Sequence, residues 1–436
     1  MRIINFKINM SVFEGPDDRT VTSFEIEDGY TSIGDEAFMG CSGLESVVIP
    51  KSVTIIGRGA FGRCPSLSKV VIPESVTTIG EYAFSDCSSL RIVVIPNAVT
   101  HIGEYAFARC PSLSNVVIPN TVTSIGNSTF EFCSRLSNVV IPKTVERIGS
   151  SAFFGCSSLE SVDIPNTVTS IDNNVFGSCS SLSSVVIPEN VTRIGESAFS
   201  GCENLGSVVI PNSVISIGRS AFSGCENLGT VVIPNSVRSI GNSAFNRCTS
   251  LEEIVIGNSV RIIGNSAFYN CESLSSVVIP DSVTSIGFHA FYGCSSVVEI
   301  SFLNSGIELE EMMKAFTNML SLRRVFVYPF RVDELQEHLN EELNYVEALP
   351  LPATSMKQLQ PREFIYMSNT NTKKYTLNQR HWIATFILAA YAASRMEQHR
   401  LPHLPPELVR MILEMIRRED ADNTVPRITT VIKPLE

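Results

Sequence analysis

The chain has 436 residues, enough for two or three domains, and only 18% of them are charged, against about 25% in typical soluble proteins. Its net charge of -11 argues against a surface that binds the phosphates of nucleic acid. With 44% apolar residues the chain can bury a large core, so bulk disorder is excluded. Twelve cysteines in a chain this long do not by themselves indicate a disulfide framework.

Residues 1–26 are predicted to form an N-terminal capping region. Apolar residues alternate with polar ones from Ile4 to Val12, which predicts a strand, and Thr22 to Ile26 has the pattern of the closing half of a repeat. Met1 to Ser11 has no continuous apolar run followed by small residues, and no window of the chain reaches about 18 consecutive apolar residues. We therefore expect no signal peptide, no membrane span and a cytoplasmic location.

The cysteines follow one another at intervals of 23 residues, without exception. Phe stands three residues before each of them and Ile eight residues before, while Leu stands three residues after all except the last, where Val297 replaces it. A fixed period of this length is typical of solenoids and propellers. Twelve units cover residues 27–302, with cysteines at positions 41, 64, 87, 110, 133, 156, 179, 202, 225, 248, 271 and 294.

Each unit is predicted to contain a short strand after its leucine. In the second half of the first unit, period-2 alternation turns Leu44, Val47 and Ile49 inward and Val48 outward. Pro50 has no N–H to donate to the next rung, so we expect the strand to end there.

A second short strand is predicted on the opposite side, where Val53 and Ile56 return to the core. Gly57 is predicted to turn the chain at positive φ, and Asp172, the one replacement in the glycine column, is a residue that tolerates that conformation. The phenylalanine rings of successive rungs are expected to stack about 4.8 Å apart. The cysteine Cβ vectors run parallel, which favours buried thiols over disulfides.

The consensus I-P-x-S-V-T-x-I-G-x-x-A-F-x-x-C-x-x-L resembles the BspA-like leucine-rich repeats, the class with a 23-residue unit. The resemblance implies a mainly β fold, a curved leucine-rich-repeat β-solenoid of about 12–13 rungs. Members of this family are implicated in adhesion and in protein–protein binding, so it also implies a protein ligand.

The C-terminal third departs from the strict repeat. Ala315 to Met319 and Leu322 to Val327 imitate the unit with Met319 in the cysteine column, so the solenoid is predicted to span 27–330 with a degenerate last unit. A leucine stripe with an acidic back predicts a capping helix over 331–349. A stretch rich in Pro, Asn, Thr and Ser predicts a linker over 350–375, and a small helical tail follows over 376–436.

The tail offers a second candidate site, which starts at residue 404. Leu-Pro-x-Glu-Leu followed by an apolar helix resembles the opening of an F-box, which implies docking to a ubiquitin-ligase adaptor. The alternative is an ordinary amphipathic helix, since Pro before such a helix is common in any protein. The adaptor-docking candidates are Leu404, Pro405, Glu407, Leu408 and Ile412.

The sequence contains no catalytic constellation that we recognise. The six histidines are scattered, Pro402 interrupts the i, i+4 pair of His399 and His403, and no C-x₂-C pair suits zinc. We find no G-x-x-x-x-G-K motif, and the repeat glycines are explained by turn geometry. We therefore predict a protein that is not an enzyme and needs no cofactor or metal.

The candidate partner-binding residues form one outward column of the predicted sheet. A row of exposed valines exceeds what a monomer usually leaves uncovered, although Val also favours strands and duplication copies it. The function predicted is a protein-binding scaffold; the alternatives are a substrate-recruiting ubiquitin-ligase adaptor and a cell-surface adhesin. The column comprises Val48, Val71, Val94, Val117, Val140, Asp163, Val186, Val209, Val232, Val255 and Val278.

Overall fold

The structure, a computed structural model, describes residues 12–303 continuously. Beyond them it describes 307, 311, 314–317, 319, 321–322 and the strands Arg324–Val327 and Arg362–Ile365. The chain forms a β-solenoid in which each 23-residue unit contributes two short strands, one on either side of a shared core. We call the strands that follow the leucine column the front strands and the others the back strands.

The front strands carry the alternation that the sequence predicts: Val47 is buried, while Ser46 and Val48 on either side of it are exposed. Leu44 and Ile49 are also buried, and the strand ends before Pro50. The front strands are Ser23–Glu25, Ser46–Val48, Lys69–Val70, Ile92–Val94, Asn115–Val117, Asn138–Val140, Ser161–Asp163, Ser184–Val186, Ser207–Val209, Thr230–Val232, Glu253–Val255, Ser276–Ile279, Glu299–Phe302 and Arg324–Val327.

The back strands are two residues long, and in each of them the second residue is buried. The predicted return to the core is confirmed, because Val53 and Ile56 are both fully buried. The back strands are Val12–Phe13, Ser32–Ile33, Ile55–Ile56, Thr78–Ile79, His101–Ile102, Ser124–Ile125, Arg147–Ile148, Ser170–Ile171, Arg193–Ile194, Ser216–Ile217, Ser239–Ile240, Ile262–Ile263 and Ser285–Ile286.

Where neighbouring strands of successive units pair, they do so in parallel with a shift of one repeat, so identical columns lie above one another. Val185, for example, is paired with Val208 and Ile194 with Ile217. The phenylalanine column is fully buried from Phe38 to Phe291, and adjacent rings are stacked with centroids 4.9–5.7 Å apart. One repeated set of contacts thus stabilises the whole solenoid.

The cysteine column consists of twelve free, buried thiols. From Cys64 onward each thiol donates a hydrogen bond to the backbone carbonyl of the phenylalanine one rung earlier; the Cys202 Sγ, for instance, lies 3.2 Å from the Phe176 oxygen. Burial raises the pKa of Cys133 and of Cys202 from 9.0 to about 12. The thiols are therefore protonated, hydrogen-bonded parts of the core.

The explanation predicted for the glycine column is wrong. Gly57 and its equivalents are not at positive φ; the left-handed residue lies two positions later, as in Tyr82 (φ 55°) and Ser220 (φ 52°). Glycine is needed for close approach instead, since a Cβ on Gly218 would lie 2.5 Å from the carbonyl carbon of Gly195 in the previous rung. Tolerance of a left-handed backbone therefore does not explain the presence of Asp172 in this column.

The back strands form three separate sheets, and the two breaks fall at units with unusual side chains. The breaks separate Ile102 from Ser124 and Ile148 from Ser170. In the units that follow them, Thr129 and Val175 replace the alanine found in every other unit from Ala37 to Ala290. The four ring pairs that include Phe130 or Phe176 are 5.5–5.7 Å apart, against 4.9–5.3 Å for the other seven pairs from Phe38 to Phe291.

These breaks follow from side-chain volume. A larger residue in the alanine column separates its rung from the neighbours, because a close-packed interior cannot absorb extra methyl groups without backbone movement. The second break also admits the Asp172 side chain into the glycine column. Gly149 and Gly195 donate to the Ile125 and Ile171 carbonyls, whereas no such bond joins Asp172 to Ile148 within the described part of the chain.

The N-terminal end is closed by elements outside the strict repeat. Val12–Phe13 is paired with Ser32–Ile33, and the Phe13 ring is stacked on Phe38 at 5.4 Å. Val12 is exposed and Phe13 buried, so the alternation predicted for Ile4 to Val12 does not continue in that phase; its earlier residues lie outside the described part. Arg19 donates to the Ala37 carbonyl at 2.7 Å. In later units the equivalent carbonyl accepts from the N–H of a phenylalanine in the preceding rung, as Ala60 does from Phe38, so Arg19 takes the place of that donor.

At the other end a further turn is added to the solenoid. The Phe316 ring is stacked on Phe291 at 4.7 Å, and Arg324–Val327 is paired in parallel with Glu299–Phe302. Arg362–Ile365, in the stretch predicted to be a linker, forms a strand antiparallel to Arg324–Val327. The predicted capping helix at 331–349 and the helical tail at 376–436 lie outside the described residues.

Candidate interaction surface

The valine column stands out from the front strands along most of the solenoid. The ten valines have exposed fractions from 45% at Val255 to 72% at Val186 and Val209. Asp163, also exposed, divides the column into a stretch that begins at Val48 and one that begins at Val186. We call this outward row, from Val48 to Val278, the valine stripe. Because neighbouring parallel strands lie about 4.8 Å apart, each of the two stretches forms a narrow apolar line.

The stripe is bordered by small polar side chains. The outward position two residues earlier holds mostly Ser, Asn and Thr, with an exposed isoleucine at Ile92. The position before that carries serines whose hydroxyls donate to the backbone of the preceding rung, as Ser183 does to the Glu160 carbonyl at 3.3 Å. Gly206 and Gly229 stand in the same column, and a Cβ added to either would meet nothing within 4 Å. The small side chains beside the stripe therefore leave the valines accessible to a partner.

A second group of rings, in which Tyr82 is exposed and Tyr105 half-buried, lies on the turns away from the front strands. Tyr82 and Tyr105 are stacked with centroids 4.7 Å apart, and the Arg58 guanidinium carbon lies 5.8 Å from the Tyr82 centroid. Sequence reasoning missed this cluster. The 23-residue spacing of the two tyrosines is the signal that would have found it, because equal positions in successive units lie above one another.

The remaining site predictions fall outside what the structure describes. The adaptor-docking candidates Leu404, Pro405, Glu407, Leu408 and Ile412 lie in the tail beyond the described residues. In the part that is described, no group of three or more His, Cys, Asp or Glu side chains is placed to hold a metal ion. No helix among those residues is long and apolar enough to span a membrane.

Comparison with known proteins identifies the repeat. The family model of the BspA type leucine rich repeat region, in six copies, matches residues 7–137, 100–229 and 215–347. The chain belongs to this family. The recognition made from the repeat consensus is thereby confirmed for this BspA-type protein, as is the solenoid fold. No curated protein matches the chain.

One solved structure agrees with this assignment, and a second is reported beside it. A leucine-rich repeat protein from Bacteroides ovatus is 32% identical with a TM-score of 0.62, over 70% of this chain and 82% of that one. A leucine rich cell surface protein from Faecalibacterium prausnitzii is 29% identical, with a TM-score of 0.48, over 72% of this chain and 89% of that one. The chain is thus similar to most of the length of each of these repeat proteins.

Proposed function

We propose that this BspA-type protein is a non-catalytic scaffold that binds a protein partner through the valine stripe. The observation that carries the proposal is the exposure of ten valines at equivalent positions of successive units, on or directly after the front strands, in a column whose one other member is Asp163. Solenoids offer such extended surfaces for binding, and apolar surface that stays uncovered on a monomer is typical of interaction sites. A cytoplasmic location and the tail's adaptor role stay predictions.

The proposal is tested by removing the stripe's apolar surface without changing the core. Replacing Val186, Val209 and Val232 by Ser is expected to abolish capture of the partner from extracts of the source cells. Because these side chains are mostly exposed, each change is expected to lower the free energy of unfolding by less than about 1 kcal/mol. The measurement is quantitative mass spectrometry of captured proteins, with urea unfolding of each variant.

The chain supplies a matched control on or directly beside the back strands. Ile55, Ile215 and Ile262 are 45–50% exposed aliphatic residues on the opposite side of the solenoid. Their replacement by Ser removes a similar apolar area and should leave capture intact. Equal loss of the partner in both triple variants would mean that the front strands are not the binding surface. A large loss of stability in the valine variant alone would show that the stripe is structural.

A further inference from the structure

The exposed charges beside the valine stripe differ sharply between its two stretches. Beyond Cys156, the charged residues on the front strands and on the turns directly before and after these strands are all acidic. All five arginines in residues 156–303, from Arg193 to Arg261, lie elsewhere in their units. The exposed acidic residues are Glu160, Asp163, Glu189, Glu203, Glu226, Glu252, Glu253, Glu272 and Asp281.

None of these nine acids forms an ion pair within the part of the chain that the structure describes. The ion pairs among the described residues are Arg58–Glu81, Arg147–Asp172 and Arg219–Glu196, and all three lie away from the front strands. The front side of the first stretch is mixed, with five basic residues from Lys51 to Lys143 and five acidic ones, Glu25, Glu27, Asp28, Glu45 and Glu74. The acidic border therefore begins at Glu160 and Asp163 and continues along the stretch from Val186 to Val278.

The spacing of this stretch suits one kind of secondary structure in a partner. Successive valines are one rung apart, and neighbouring parallel strands lie about 4.8 Å from each other. An α-helix advances about 5.4 Å per turn, so a helix along the stripe places one side chain on each rung. An extended strand repeats its side chains every ~6.8 Å and loses register within two rungs.

We propose, resting on the function proposed above, that the stretch from Val186 to Val278 binds a basic amphipathic helix. The apolar ridge of the helix packs on the valines, with Ser184, Ser207 and Thr230 leaving room beside them. Its lysines or arginines lie over the acidic border on both sides, where the attraction raises specificity and the association rate. Five valines at one per rung correspond to about four turns of helix.

The test uses the full chain and a displayed library of 18-residue helices with ten outward positions randomised. Binders are selected on the wild-type protein, and those that also bind the variant with Val186, Val209 and Val232 changed to Ser are discarded. Among the remaining helices we expect Lys and Arg to outnumber Asp and Glu at least threefold relative to the unselected library. Synthetic copies should bind at least ten times more weakly at 300 mM than at 50 mM NaCl.

A paired substitution assigns the charge effect to the front side. Glu203→Gln with Glu226→Gln is expected to weaken a selected helix at least fivefold, whereas Glu146→Gln with Glu196→Gln, away from the front strands, should leave it unchanged. Valine-dependent helices without a basic bias would overturn the inference and leave the binding role of the stripe intact. A library that yields no valine-dependent helix, or equal effects of the two pairs, would also overturn it.

Discussion

Raising the pH from 8 to 10 is expected to unfold this protein in the presence of a thiol reductant. Ten thiols from Cys64 to Cys271 have a pKa that burial raises above the ordinary value of 9.0, to about 12 for Cys64, Cys133 and Cys202. The folded state therefore holds its thiol protons more tightly than the unfolded state. The stability that the protonated thiols contribute is fully present below pH 9, and it is lost as the pH rises through the pKa values of the folded state.

The size of the effect follows from the number of thiols. At pH 10 an unfolded thiol of pKa 9.0 is stabilised by ionisation by about 1.4 kcal/mol, so ten of them contribute about 14 kcal/mol against folding. A domain is usually stable by about 5–15 kcal/mol, so the loss is of the same order as the total. The measurement is the midpoint of urea unfolding, monitored by circular dichroism, at several pH values between 7 and 10.

A variant with fewer buried thiols provides the control. Cys156→Ala with Cys179→Ala and Cys202→Ala is expected to be less stable at pH 7, because buried volume is lost. Its stability should nevertheless fall by about 4 kcal/mol less between pH 8 and 10 than that of the wild type. A urea midpoint that does not change over this pH range would show that the thiols are not protonated members of the core.

Gly218→Ala is expected to destabilise the solenoid by about 3 kcal/mol, near the upper end of the usual cost of overpacking. The added methyl group would lie 2.5 Å from the carbonyl carbon and 2.6 Å from the oxygen of Gly195, so the two rungs must move apart. Asp172, the one replacement in this column, lies together with Val175 in a unit that begins where the back sheet is broken. Thermal and urea unfolding measure the loss.

Gly206→Ala is the matched control, since its Cβ meets nothing within 4 Å on the front side. It should change the free energy of unfolding by less than about 0.5 kcal/mol, as is usual for surface positions. Similar losses in the two variants would contradict the conclusion that the glycine column is required for the close approach of successive rungs.

Much of the fold was predictable because a 23-residue period fixes the phase of every column. The inward direction of Leu44 and Val47 and the outward direction of Val48 follow from period-2 alternation, and one unit then determines the rest. The recurrence of Gly57 and its equivalents was equally visible, but its cause was assigned wrongly. A sequence shows that a glycine recurs, whereas the distance to the preceding rung is a property of the stacked structure.

Other features depended on contacts between units that no single unit reveals. Thr129 and Val175 are visible as exceptions in the alanine column, yet the break of the back sheet beside each of them emerges only once the rungs are stacked. Arg362–Ile365 lies in a stretch whose composition is that of a linker, and its pairing with Arg324–Val327 is non-local. The acidic border likewise becomes a surface only after each charge is assigned to a side of the solenoid.

Site-specific photocrosslinking tests the central claim, partner binding through the front strands, most directly. A photoreactive phenylalanine analogue replaces either Val209, which is 72% exposed on the front, or Ile215, which is 48% exposed beside the back strand Ser216–Ile217. Both positions lie in neighbouring units and both are apolar. We expect the captured partner to crosslink to position 209 and not to position 215. Crosslinking at 215 alone, or at neither position while the partner stays bound, would contradict the account.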